Sequence, residues 1–103
     1  MKFCISNLAW TKKETKEALI LLKKRKIRLL EYSPNLLFDN YNSKKEIKIV
    51  KKYWLQNNIK LYSMQTVLHG VNNAFLFGNL NQRRIFFREV KKKITLAKKL
   101  GTK

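Results

Sequence analysis

Cysteine, histidine and proline occur once each, and glycine three times, in 103 residues, which limits the chemistry open to this chain. Cys4 alone can neither close an internal disulfide nor supply a multi-cysteine metal site. Phe77-Gly78-Asn79 lacks the glycine spacing of a phosphate-cradling loop, so no nucleotide site is expected. Long apolar runs are also missing, and no stretch approaches the roughly 18 residues that span a bilayer. Met1-Lys2-Phe3 is not followed by the apolar run and cleavage site of a secretory leader, so none is expected. A cytoplasmic protein with no membrane partner is the expectation. Acidic side chains are scarce as well, with 6 Asp and Glu against 24 Lys and Arg, a formal net charge of +18.

Such an excess of positive charge ordinarily points to nucleic acid or an anionic membrane. The composition offers another cause. Nineteen of the basic residues are Lys and five are Arg; the chain also has ten Asn and eight Ile, but only eight Ala, Gly and Pro together. Lys, Asn and Ile have AT-rich codons, so an AT-rich genome produces this bias whatever the function. Arg, the residue that best reads phosphates and base edges, is sparse. The charge is therefore expected to be solvated surface, with no specific nucleic-acid partner. A hydrophobic content of 45%, with aromatic residues making up 12% of the chain, suffices for a buried core.

Along the chain, β-forming and helical patterns alternate. Phe3–Ser6 suits a short buried strand. Thr11-Lys12-Lys13-Glu14 has the spacing of a capping box and opens a helix to about Lys26, with Ala18, Leu21 and Leu22 inward. Ile27–Tyr32 reads as a second strand, ended by Ser33-Pro34, and 35–42 as an Asn-rich loop. Ser43-Lys44-Lys45-Glu46 is a second capping box. Its helix carries Ile47, Val50 and Trp54 on one stripe and closes at Asn57-Asn58. Ile59–Val67 gives a third strand, strongest over Leu61–Val67, followed by a loop of about a dozen residues. A third helix is predicted from near Asn81 to Leu100, with Phe86, Val90, Ile94 and Ala97 inward and Gly101 as its stop.

The order βαβαβα favours a parallel sheet with right-handed crossovers and outer helices. Strand starts near 3, 27 and 59 bracket the roughly 30 residues that a barrel of about 250 residues spends per βα unit. The expected fold is α/β: the N-terminal (β/α)3 portion of a TIM-type (β/α)8 barrel, with 1–103 forming one incomplete domain.

Three segments carry a resemblance. They are Ile5-Ser6-Asn7-Leu8-Ala9-Trp10, Leu30-Glu31-Tyr32-Ser33-Pro34-Asn35 and Tyr62-Ser63-Met64-Gln65-Thr66-Val67-Leu68-His69-Gly70. In order and spacing they resemble sugar phosphate isomerase/epimerase proteins of the xylose-isomerase-like barrel superfamily. Leu76-Phe77-Gly78 and Ala97-Lys98-Lys99-Leu100-Gly101 are similar to that family's following loop and helix end. The resemblance implies an eight-stranded barrel acting on a sugar or sugar-phosphate, often with a divalent metal held by carboxylates and histidine. In such relatives those carboxylates come mostly from later strands, so no metal ligand is assigned within this segment. Many relatives have an aromatic residue where this chain has His69.

Barrel enzymes place their chemistry at the C-terminal ends of the strands. That rule selects Asn7, Trp10, Glu31, Ser33, Gln65 and His69. Glu31 can act as a base or accept a hydroxyl hydrogen bond, or else pair with a lysine. Trp10 can stack on a sugar ring or merely cover the barrel mouth. Asn7 and Gln65 can orient hydroxyls through their amides or satisfy loop backbone. Ser33 and His69 complete the candidate substrate contacts, while Cys4 reads as a small buried hydrophobe. The expected function is the N-terminal part of a sugar isomerase or epimerase, inactive in isolation. The alternatives are an endonuclease-IV-like barrel acting on DNA and a small basic nucleic-acid-binding module without catalysis.

Overall fold

The computed structural model describes residues 2–102; Met1 and Lys103, the ends of the expected domain, lie outside the described residues. Strands β1 (Cys4–Ser6), β2 (Leu29–Tyr32) and β3 (Lys60–Met64) form one sheet in the order β1-β2-β3. Both pairings are parallel. Helices α1 (Thr15–Lys24), α3 (Lys44–Gln56) and α4 (Leu80–Leu100) follow the three strands, and a four-residue helix α2 (Pro34–Leu37) leaves β2. The expected mixed α/β class and chain-order parallel sheet are present. Each strand is shorter than its pattern suggested, because apolar residues such as Ile27 and Ile59 continue past the ladder into the core.

Local capping sets where the helices begin. Thr11 and Glu14 form the expected box, with the Thr11 N–H donating to the Glu14 carboxylate at 2.7 Å. That bond, with the Thr11 hydroxyl, holds the Glu14 carboxyl below its usual range. The first turn is nevertheless a 3-10 turn, and the α-helix starts only at Thr15. At α3, Ser43 Oγ accepts from the Glu46 N–H at 3.2 Å, but the second expected box is not completed. The Glu46 carboxylate instead accepts from the Asp39 and Asn40 N–H groups at 2.6 and 2.9 Å, pinning the preceding loop to the helix. A box absent from the sequence reading, Asn79 with Gln82, starts α4. Asn58 (φ +57°) and Gly101 (φ +73°) take the left-handed conformation expected after α3 and α4.

The core lies on one side of the sheet. Leu30 and Tyr32 are fully buried there with Leu61, against Leu19 and Leu22 of α1, Ile47 and Trp54 of α3, and Leu96 and Leu100 of α4. Period-two alternation turns Leu29 and Glu31 to the opposite, half-exposed face. Two inward faces differ from expectation. Leu21 is exposed and Leu19 takes its place, because α1 packs from one side only. On α4 the buried stripe is Glu89, Lys93, Leu96 and Leu100, while Ile94 is exposed. The helix has turned about one residue from its apolar row. Within 35–42, which reads as loop, Phe38 is buried and belongs to the core.

Two charges on that α4 stripe are buried differently. Glu89 accepts from Lys92 Nζ at 3.0 Å, with Arg88 Nε 3.5 Å away. The Lys92 hydrogen bond is the chief reason its carboxyl is held below the usual range. Because the folded value is depressed, this contribution is complete above the unfolded carboxylate pKa of roughly 4.3 and fades as pH falls through the folded value. Glu89→Gln should flatten that acid limb in a stability-versus-pH series. Among the described residues Lys93 Nζ has no hydrogen-bond partner, and it lies 3.6 Å from the Tyr41 ring centroid. A cation–π contact offsets only part of the desolvation of an ammonium. Lys93→Met should raise unfolding stability by about 1 kcal/mol in denaturant titration; a loss of similar size would show that the cation is well compensated.

Candidate functional site

Parallel pairing brings the C-terminal ends of all three strands to one rim, and polar side chains meet there. The register places Glu31 opposite Ser6 on one side and Ser63 on the other. A shift between Leu30 and Glu31 produces the second match, since Leu30 pairs with Leu61 and Tyr62 is left unpaired. Ser63 Oγ donates to Glu31 Oε1 at 3.2 Å. Gln65, just past the end of β3, donates from Nε2 to Ser6 Oγ, linking β3 to β1 across the rim. Thr66 donates from Oγ1 to Ser33 Oγ, and the Ser33 N–H donates to Asn7 Oδ1 at 2.9 Å.

The two halves of this network differ in burial. Asn7 and Ser33 are 4% and 1% exposed and bind the exit from β1 to the exit from β2. They shape the rim from beneath. Glu31, Ser6, Ser63 and Gln65 are half-exposed and present a carboxylate, hydroxyls and an amide toward the open face. Cys4 lies on that face too; contrary to the expectation of a buried hydrophobe it is exposed. Partial desolvation and the Glu31 carboxylate push its thiol pKa up, which disfavours the nucleophilic thiolate.

Trp10 and His69 stand apart from this cluster. Trp10 packs against the core and lines a groove with Ile5, Ala18 and Leu22 on the helix side. His69 has an exposed side chain, and its backbone carbonyl accepts from Asn35 Nδ2. Of the six sequence candidates, four (Asn7, Glu31, Ser33 and Gln65) are therefore brought together. Ser6, Ser63 and Thr66 join them unannounced. Thr66 has φ +50°, a left-handed conformation that costs a β-branched residue about 1 kcal/mol or more. Such strain persists where surrounding structure enforces it and clusters at functional sites.

Chemically, the cluster can orient hydroxyl groups and accept a proton. Glu31 supplies the acceptor, steadied by Ser63, and the Gln65 amide offers both donor and acceptor atoms. Among the described residues no three His, Cys, Asp or Glu side chains form a group able to hold a metal ion. No helix of the described residues is long and apolar enough to cross a membrane. No protein-family model, curated protein or solved structure matches this chain.

The Asn7–Ser33 link can be tested by itself. Asn7→Ala leaves the buried Ser33 N–H without its acceptor and should cost about 2 kcal/mol in denaturant unfolding. Asn7→Asp, which keeps the acceptor, should recover part of that loss. Equal stability of Asn7→Ala and the parent would show that water replaces the amide at no cost.

Proposed function

We propose that this chain is the N-terminal portion of a (β/α)8-barrel sugar or sugar-phosphate isomerase or epimerase acting in the cytoplasm. One observation carries the proposal: a carboxylate, an amide and several hydroxyls share a rim at the C-terminal ends of three consecutive parallel strands. Enzymes of this architecture work at that end, and a polyhydroxylated substrate matches such donors and acceptors. Glu31 is the proposed base, with Gln65 orienting a substrate hydroxyl. Asn7 and Ser33 hold the rim from beneath, so their contribution is positional. Trp10 and His69 bear on substrate only through loop shape.

The uncovered surfaces support an incomplete barrel. Large apolar side chains stay exposed on α1 (Ile20, 66%; Leu21, 59%) and along α4 with its preceding loop (Phe77, 98%; Leu80, 57%; Phe87, 59%; Ile94, 53%). Exposed area of this kind is unusual on a soluble monomer and marks a surface that packs against something. Further βα units on both sides of the sheet would cover it and turn the half-exposed face into a barrel interior.

The coding frame should continue past Lys103 into further strand–helix units with acidic residues and histidine at their strand ends. The longer polypeptide should interconvert sugars, and Glu31→Gln in it should lower kcat by about a hundredfold, with a smaller effect on KM. The 103-residue chain alone should lack that activity. A frame that stops at Lys103, or sugar isomerisation by the 103-residue chain itself, would refute the proposal.

A further inference from the structure

We propose that the groove between α3 and α4 binds a linear oligophosphate through Lys44, Lys48, Lys51 and Lys99. The charge of this chain is not evenly spread along it. From Ile47 onward there are thirteen basic residues and one acid, Glu89. In the fold, Lys44, Lys48 and Lys51 recur at intervals of four and three on one face of α3. Their aliphatic stems, with that of Lys99 on α4 and with Ile47, line a chiefly apolar groove of about 350 Å³.

None of these four ammonium groups has a carboxylate partner among the described residues. The ion pairs there are Lys12 with Asp39, and Glu89 with Arg88 and Lys92. Glu46, the acid nearest Lys44 in sequence, is occupied by the Asp39 and Asn40 N–H groups. Lys51 Nζ donates to the Lys99 carbonyl at 3.0 Å, which ties the two helices together and fixes one cation at the groove. An anion bound beside several lysines without carboxylate partners lowers their mutual repulsion.

The lining restricts which anion fits. Lysine provides point charges without the planar fork of arginine. No aromatic side chain lines the groove, so it offers no platform for stacking a nucleobase. Lys44 to Lys51 extends about 10 Å along the helix, which suits several linked phosphates better than one. A short inorganic polyphosphate and the tail of a nucleoside triphosphate share that chemistry.

The probe is tripolyphosphate, titrated into the 103-residue chain near physiological salt and followed by backbone amide shifts. Shifts should concentrate in Lys44–Lys51 and in the last two turns of α4. Affinity should fall about tenfold in a K48E/K99E variant and by less than about twofold in K13E/K16E, which carries the same charge change on another face. If K48E/K99E unfolds, K48Q/K99Q should still weaken binding more than K13Q/K16Q. ATP binding as tightly as tripolyphosphate would assign recognition to the phosphate chain whichever molecule brings it. Equal weakening by both reversals, orthophosphate matching tripolyphosphate, or ATP or an oligonucleotide of preferred sequence binding far more tightly would each overturn the proposal.

Discussion

Parallel strands joined in sequence order need crossover connections, and crossovers of one hand put every long helix on the same side of the sheet. The rest of this molecule follows from that constraint. Leu30, Tyr32 and Leu61 turn toward α1, α3 and α4 and are buried; Leu29 and Glu31, one residue out of phase, are not. The same constraint leaves β1 and β3 as open edges and gathers all three C-terminal strand ends at one rim. Burial of a single sheet face thus fixes both what stabilises the fold and where its chemistry can lie.

The rim is held by bonds that span large sequence separations, from Asn7 to Ser33, Ser33 to Thr66 and Ser6 to Gln65. The side-chain links closest to the core, at Asn7 and Ser33, are sealed from water, where a satisfied polar group adds order and an unsatisfied one is expensive. Outward from them, exposure rises and the groups become available to a ligand. This gradient separates support from contact among residues of similar chemistry. It also explains why Asn7 and Gln65, both amides at strand ends, have different parts in the proposed site.

Much of this arrangement was legible in the residues. Alternation of β-forming and 3.6-period segments revealed the three βα units, and Thr11-Lys12-Lys13-Glu14, Asn58 and Gly101 behaved as their local chemistry predicts. Glu31, Asn7, Ser33 and Gln65 were grouped by their places at strand ends, and hydrogen bonds bring them into one network. What escaped depends on three-dimensional facts without a local signature. The register shift at Glu31 recruits Ser63, and Thr66 joins only because β3 ends at Met64. Leu21 lost its inward place to Leu19 because one-sided packing admits a narrower stripe than the apolar pattern offers. On α4 a lysine and a glutamate occupy the buried row, and no apolar periodicity could have pointed to them.

Charge distribution separates the two surfaces for which a function is proposed. The rim network contains one carboxylate with neutral hydroxyls and amides, and no basic side chain of the described residues takes part in it. Lysine collects instead on the outer surfaces of α3 and α4, across the sheet from the half-exposed face that carries Glu31. A composition bias acting alone would scatter lysine wherever burial permits. Its absence from the half-exposed positions of the rim network therefore reflects the local chemistry of that rim. An ammonium beside Glu31 would pair with it and occupy the carboxylate that the proposed function uses. Under the proposed function, a rim free of cations leaves Glu31 open to substrate, while the outer helices carry the charge where water can reach it.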